Sequence, residues 1–271
     1  MPDNGTSSMN GRTAPVIAVR DLVKRYGDVT AVSGLNFSVA NGSVTALLGG
    51  NGAGKTTTIA MLLGLVLPTS GDIRVFGEDM TRRRHAVLHR MNFESPYVNI
   101  PMRLTVRQNL DTFANLYGVL DPAGRIADLA AELRLDEFLD RPAGQLSSGQ
   151  KTRAALAKAL VNAPELLLLD EPTASLDPDT ADWIRAKLVE YRQARGATIL
   201  LASHNMQEVE RLADRVLMLE RGKIVEDGTP AELLHRFGRA SLEEVFLDIV
   251  RHRSPEPDRA GHIHDAAGIM E

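Results

Sequence analysis

Gly49-Gly50-Asn51-Gly52-Ala53-Gly54-Lys55-Thr56 reads G-x-x-x-x-G-K-[ST] in full, behind an apolar run and ahead of a helical pattern. Glycines let a backbone curl until successive N–H groups face inward as an anion nest, and a helix starting there adds its positive end. Lys55 is placed to bring a full charge to the β- and γ-phosphates of a nucleoside triphosphate, and the Thr56 hydroxyl to ligate Mg²⁺. A Gly-rich turn with a chance lysine is the bland alternative, and the strand before and helix after it argue against that. By itself the loop says only that a nucleoside triphosphate binds.

A second constellation is Leu167-Leu168-Leu169-Asp170-Glu171, two carboxylates at the end of an apolar strand. Open α/β sheets place ligands at such carboxyl ends. One carboxylate there holds Mg²⁺ directly or through water, and its neighbour orients or deprotonates an attacking water. Asp170 is assigned to the metal and Glu171 to the base. A strand ending in solvated acids is common in isolation, but here it follows a phosphate loop.

The elements that must position these groups can be read coarsely. Alternation marks strands at Val16–Val19, Leu35–Val39 and Ser43–Leu48, with Asn41-Gly42 as a hairpin signal between the last two. Short apolar runs at Leu166–Leu169, Thr198–Ala202 and Arg215–Leu219, separated by helical patterns, read as buried strands of a mostly parallel sheet. Between them, from about residue 82 to 160, helical stripes dominate: Val106, Leu110, Phe113, Ala114 and Tyr117, then Ile126, Leu129, Ala130 and Leu133. Residues 1–15 and 254–271 are polar and read as disordered tails, leaving 16–253 as the folded part.

Composition narrows the setting. The 271 residues carry a net charge of −4, which gives no reason to expect nucleic acid as partner. Zero cysteines exclude disulfides and suit a reducing cytoplasm. The longest apolar run, Ile59–Leu67, falls well short of the roughly 20 residues of a membrane helix. The N-terminal stretch lacks the apolar core of a signal peptide.

Leu146-Ser147-Ser148-Gly149-Gln150 resembles the L-S-G-G-Q signature of the ATP-binding cassette (ABC) family, ahead of a helix and some twenty residues before the acidic pair. Other motifs match that family in order. Asn51-Gly52-Ala53-Gly54-Lys55-Thr56-Thr57 is similar to its phosphate loop, Ala174-Ser175-Leu176-Asp177 to its D-loop, and His204 to its switch histidine. Tyr26 sits where the family stacks an aromatic on adenine. The resemblance covers about Val16 to Leu247. It implies an α/β fold with a P-loop NTPase core, whose mixed, mainly parallel sheet has flanking helices. An antiparallel β subdomain and an inserted α-helical subdomain complete that picture.

The resemblance also implies ATP and Mg²⁺ as cofactors and a sandwich in which two copies bury ATP between the phosphate loop of one and the signature loop of the other. A homodimer is expected, a heterodimer being the variant, working with an integral-membrane permease from the cytoplasmic face of the membrane. Glu171 and His204 are then the catalytic pair. Gly49, Asn51, Gly52, Ala53, Gly54, Lys55, Thr56, Thr57, Ser147, Ser148, Gly149, Gln150, Asp177 and Tyr26 contact nucleotide, and Thr56 and Asp170 the metal. The segment Ser241–Leu247 looks like the end of cassette subunits of the ABC-2 type exporter group. An amphipathic terminal helix packed on the core is its plainer reading. An importer subunit or a non-transport regulatory cassette is the alternative function, and a simple P-loop kinase would leave the signature loop unexplained.

Two departures accompany the resemblance. Ser148 replaces the middle glycine of the signature, harmless if its φ is negative. The glutamine the family places at the head of the helical insertion is missing: the position falls at Ser95 or Pro96, within Asn92-Phe93-Glu94-Ser95-Pro96-Tyr97. Glu94 or Ser95 is expected to take a metal- or water-facing role in its place.

Overall fold

The computed structural model describes residues 14–95, 100–174 and 176–253. The expected terminal tails lie outside these residues apart from Ala14 and Pro15, as do Pro96, Tyr97 and Ser175.

Strand β1 (Ile17–Tyr26) turns through Gly27-Asp28 into β2 (Val29–Val39), and both alternate buried and exposed side chains, as a sheet with one covered face requires. They join β4 (Ser70–Val75) and β5 (Glu78–Asp79) in a four-stranded antiparallel sheet of order β2-β1-β4-β5. Strand β3 (Val44–Leu48) is buried at every residue and lies in the other sheet, beside β8 (Thr198–Ser203) and β9 (Arg215–Glu220), parallel to both. Asn41-Gly42 is therefore a turn between two sheets and not the hairpin expected from its sequence. A strand without a polar face needs cover on both sides, which a hairpin partner of β2 would not have.

The larger sheet has six strands in the order β10-β9-β3-β8-β7-β6. Its members β6 (Met91–Glu94) and β7 (Leu166–Asp170) are parallel to β8, while β10 (Lys223–Gly228) returns antiparallel to β9. Alternation sorts its side chains. Leu166, Leu168, Leu200 and Leu47 pack with α1 (Lys55–Leu62) and the antiparallel sheet; Leu167, Leu169, Ile199 and Leu201 pack toward α2 (Val106–Leu116), α3 (Pro122–Leu133), α4 (Ser148–Leu160) and α5 (Pro178–Arg195). Ala46, Leu48, Val216 and Met218 meet α6 (Met206–Leu212), α7 (Pro230–Phe237) and α8 (Leu242–Arg253).

The insertion begins later than the sequence suggests. Residues 82–94 form short 3-10 turns and the edge strand β6 of the core sheet, and the first helix of the insertion starts at Val106. Four residues of strand are too few to declare a period. The terminal segment is the amphipathic helix of the plainer reading: Leu242, Val245 and Ile249 are buried in α8 against the α7 side chain Leu233. No helix among the described residues is long and apolar enough to cross a membrane.

Candidate functional site

Strand β3 delivers the chain to the phosphate loop and α1 carries it away. A Cβ at Gly49 would collide with the Leu219 carbonyl oxygen, so only glycine permits β9 this close. Gly54 caps α1 at φ 102, and no side chain caps the helix, which leaves its first N–H groups free for an anion. Lys55 is 6% exposed, with Nζ donating to Gly49 O (2.7 Å) and Gly50 O (3.2 Å) and lying 3.8 Å from Glu171 Oε1. Burial lowers its pKa, against the pull of Glu171 and Asp170.

Strand parity brings Asp170 to the same side as Leu166 and Leu168, where α1 lies. There the Thr56 hydroxyl donates to Asp170 Oδ2 at 2.9 Å. Burial raises the Asp170 pKa, and the Thr56 hydrogen bond opposes that. These two oxygens fit a hard cation that prefers oxygen. No cluster of three or more His, Cys, Asp or Glu able to hold a metal occurs among the described residues. The Thr56–Asp170 pair of oxygens is a donor set of the size that Mg²⁺ takes from protein, with waters and substrate phosphates completing its shell.

Glu171 leaves the strand at φ 56, a left-handed conformation that costs a side-chain-bearing residue roughly 1–2 kcal/mol. Its N–H is held by Ala202 O at 2.8 Å. The turn breaks strand parity and swings the carboxylate to the loop end, where Oε1 lies 2.7 Å from His204 Nδ1. Strain held by its surroundings is a mark of functional placement. The cleft so formed, about 450 Å³, is lined by Val29–Ala31, Gly50–Thr57, Asp170, Glu171, Ala174 and His204.

Behind the acidic residue is a web that sequence reading missed. Glu208, 1% exposed, accepts from Thr173 Oγ1 at 2.6 Å and from Ser203 Oγ at 2.8 Å, and Ser203 Oγ is 3.5 Å from Glu171 Oε2. One buried carboxylate thus ties the loop of Glu171 to the loop of His204. In sequence Glu208 is an acid in the first turn of a short helix, a common dipole complement with nothing to show that it is buried.

Ser147–Gln150 lie elsewhere. Ser147 caps α4, accepting from Gln150 N at 3.3 Å, while Gln150 Oε1 accepts from Ser147 N at 3.1 Å. Ser148 lies in the first turn of α4 and outside the positive-φ residues, so its Cβ is accommodated. This loop lines a separate open groove of about 840 Å³ with Arg134, Arg153, Asp177 and Thr180. Asp177 caps α5, accepting from Thr180 N at 2.9 Å, and those bonds hold its carboxyl below the usual range. Tyr26, half-exposed under Lys24 at 4.8 Å, stands at the β1–β2 turn beside the phosphate cleft without lining it; its strand partner Val29 does line it.

Glu94 is turned away from the phosphate cleft. It is the partner of Leu169 in register, and its carboxylate meets Lys158 of α4 at 2.7 Å. Its expected metal- or water-facing role gives way to this pairing, because strand parity points it at the helical side. Ser95 is buried and also outside the cleft lining.

A strand, a glycine-rich loop with its lysine, a helix and a facing acidic strand end define a P-loop nucleoside triphosphatase. Residues 32–174 match the family described as ABC transporter. The chain is 40% identical over 245 residues to Nod factor export ATP-binding protein I of Burkholderia orbicola, covering 89% of this chain and 77% of that one. It is 40% identical over 240 residues to the protein of that name in Paraburkholderia xenovorans, covering 88% and 76%. A solved ATP-binding subunit of an ABC transporter superposes with TM-score 0.79 at 29% identity, over 87% of this chain and 99% of that one. The chain belongs to the ABC transporter family as an ATP-binding subunit, and its activity is ATP hydrolysis.

Proposed function

We propose that the protein drives a separate integral-membrane permease for export, working from the inner face of the cell membrane as an ATP-sandwiched homodimer. The observation that carries this is the separation of two anion cradles in one chain. The phosphate cleft and the signature groove share no lining residue, so the two loops of one molecule stand in different hollows. Two copies related by a two-fold axis can close each cleft with the other's signature loop. The exposure of Ser147 and Ser148 supports this, since neither is buried in its own core. Export is supported by the relatives named as export ATP-binding proteins.

In this reading Lys55 and the loop N–H groups bind the phosphates, Tyr26 stacks on adenine, and Thr56 and Asp170 hold Mg²⁺. The metal would supply positive charge against the charge developing on the phosphates. Glu171 receives the proton of the attacking water, and His204, held through Nδ1, faces the γ-phosphate. Ser147–Gln150 and Asp177 complete the cage from the partner. ATP favours the closed dimer because it binds that state better, and hydrolysis releases it.

Glu171→Gln keeps the shape and removes the base, so ATP is expected to trap a dimer on a sizing column. A protein that stays monomeric in saturating ATP would end the sandwich reading. Reconstituted with its permease, the wild type should show ATPase activity that responds to transported substrate.

A further inference from the structure

Strand β6 is the edge of the core sheet, and its two polar side chains face the signature helix. Met91 is buried among the residues on the α1 side of the sheet and Phe93 packs against them, so Asn92 and Glu94 point to α4. Both are buried, Asn92 at 4% and Glu94 at 9% exposure. Lys158, near the C-terminal end of α4 and 6% exposed, meets Glu94 Oε2 at 2.7 Å and donates to Phe93 O at 3.0 Å. Asn92 Nδ2 donates to Lys158 O at 3.2 Å and to Asn162 Oδ1 at 2.8 Å. Asn162 Nδ2 returns to His89 O at 3.0 Å and Met91 O at 3.3 Å. Every residue from Met91 to Glu94 therefore touches, by main chain or side chain, Lys158 at the end of α4 or Asn162, two residues past the helix.

Such a seam is an odd way to gain stability. Burial raises the Glu94 pKa in spite of Lys158 beside it, so the loss of water around the carboxylate offsets what the pairing contributes. Two apolar side chains of similar size would hold the same surfaces together at least as well. What the seam adds is direction: the Lys158 hydrogen bond to Phe93 O, with the Glu94 charge beside it, fixes the rotation and the height of α4 against β6. Ser147 stands about three turns, or about 16 Å, along the same helix, so a small tilt at Lys158 is carried to the signature loop. At the other end, Glu94 is in register with Leu169, one residue before Asp170.

We infer that the Glu94–Lys158 pair is a positioning clasp that joins β6 to the signature helix as one body and aims the Ser147 loop at the nucleotide held by a second copy. It stands beside the place of the missing glutamine and supplies a mechanical link from the core sheet to α4. Glu94 and Lys158 are positioning residues and touch no reacting atom. The inference rests on the sandwich reading above.

The test compares the double variant E94M/K158M with wild type, and repeats the comparison on a Glu171→Gln background. The expected result is a Tm equal to or above wild type and unchanged binding of a fluorescent ATP analogue to the monomer. Turnover should fall about tenfold at saturating ATP, with the ATP-trapped dimer lost from the sizing column. The swapped pair E94K/K158E, which restores the attraction, should recover part of the turnover. Turnover within about twofold of wild type in the double variant would overturn the clasp. If Glu171→Gln alone fails to dimerise, the sandwich reading falls and the aim of the clasp with it, whereas a clasp that fails by itself leaves the Glu171→Gln dimer in place. Should the double variant not fold, Lys158→Arg keeps the charge on a differently shaped arm. Loss of the trapped dimer at unchanged Tm supports the clasp, and an unaltered dimer refutes it.

Discussion

The two anion cradles of this chain are built in opposite ways. At the start of α1 the cap is Gly54, with no side-chain bond to the free N–H groups, and the adjoining Lys55 is buried against carbonyls and a carboxylate. At the start of α4 the cap is Ser147, locked with Gln150 in a reciprocal pair of hydrogen bonds, and the loop is open to solvent. The first leaves donors unsatisfied for a ligand to complete. The second satisfies two of its own donors, the N–H groups of Ser147 and Gln150, and is stable at a surface without a ligand. The proposed sandwich, a site made in halves, needs this division: the half that holds the ligand is open-ended, and the half that arrives later must stand alone until it does.

Several substitutions would break or sharpen that contrast. Lys55→Ala should abolish binding of ATP to the isolated chain, read by fluorescent-nucleotide titration, whereas Ser147→Ala should leave that titration unchanged. Glu171→Gln should lower turnover by about 10²–10⁴-fold, the range for a positioned acid or base, with nucleotide binding kept. Glu208→Gln keeps the size but reverses one bond to Thr173 or Ser203. The expected outcome is about tenfold slower turnover at unchanged KM for ATP, and equal rates would mean the web behind Glu171 is inert.

Ser147→Ala removes a helix cap, worth about 1 kcal/mol, and should lower Tm by about 2–4 °C in a chain of this size. Were α4 to lose nothing, the capping pair would not be what stabilises the open cradle. Glu208 gives a smaller effect with a definite sign. Burial raises its folded-state pKa above the ordinary glutamate value, so the unfolded chain ionises first as pH rises. Its contribution to stability is thus full below that value and falls as pH climbs toward the folded pKa. The Tm of Glu208→Gln relative to wild type should therefore move upward from pH 4 to pH 7, measured by thermal melts. Ser148→Gly should be the mildest, within about twofold in turnover, because the native residue already sits in helical backbone.

Much of the site was legible because its chemistry needs fixed residue types at fixed spacing. Lys55 and Thr56 follow a curled glycine loop, and Asp170 ends an apolar strand on the side of α1, so motif and parity place them beside one another. The antiparallel sheet was half seen, since β1 and β2 alternate, but Asn41-Gly42 misled because a two-residue turn signal does not say whether both flanking strands share a sheet. Strand β6 went unread at four residues, and with it the direction of Glu94. Glu208 went unread because an exposed and a buried glutamate look alike in a sequence.

Local pattern determined the phosphate loop, the acidic strand end, the capped signature helix and the alternation of helix and strand, since each follows from interactions between residues near one another in the chain. The strain at Glu171, the buried carboxylate behind it and the clasp from β6 to α4 were decided only in three dimensions. Those depend on which side of a strand faces which helix, and on how much water is left beside a charge. Both are set by packing between segments 30 to 70 residues apart.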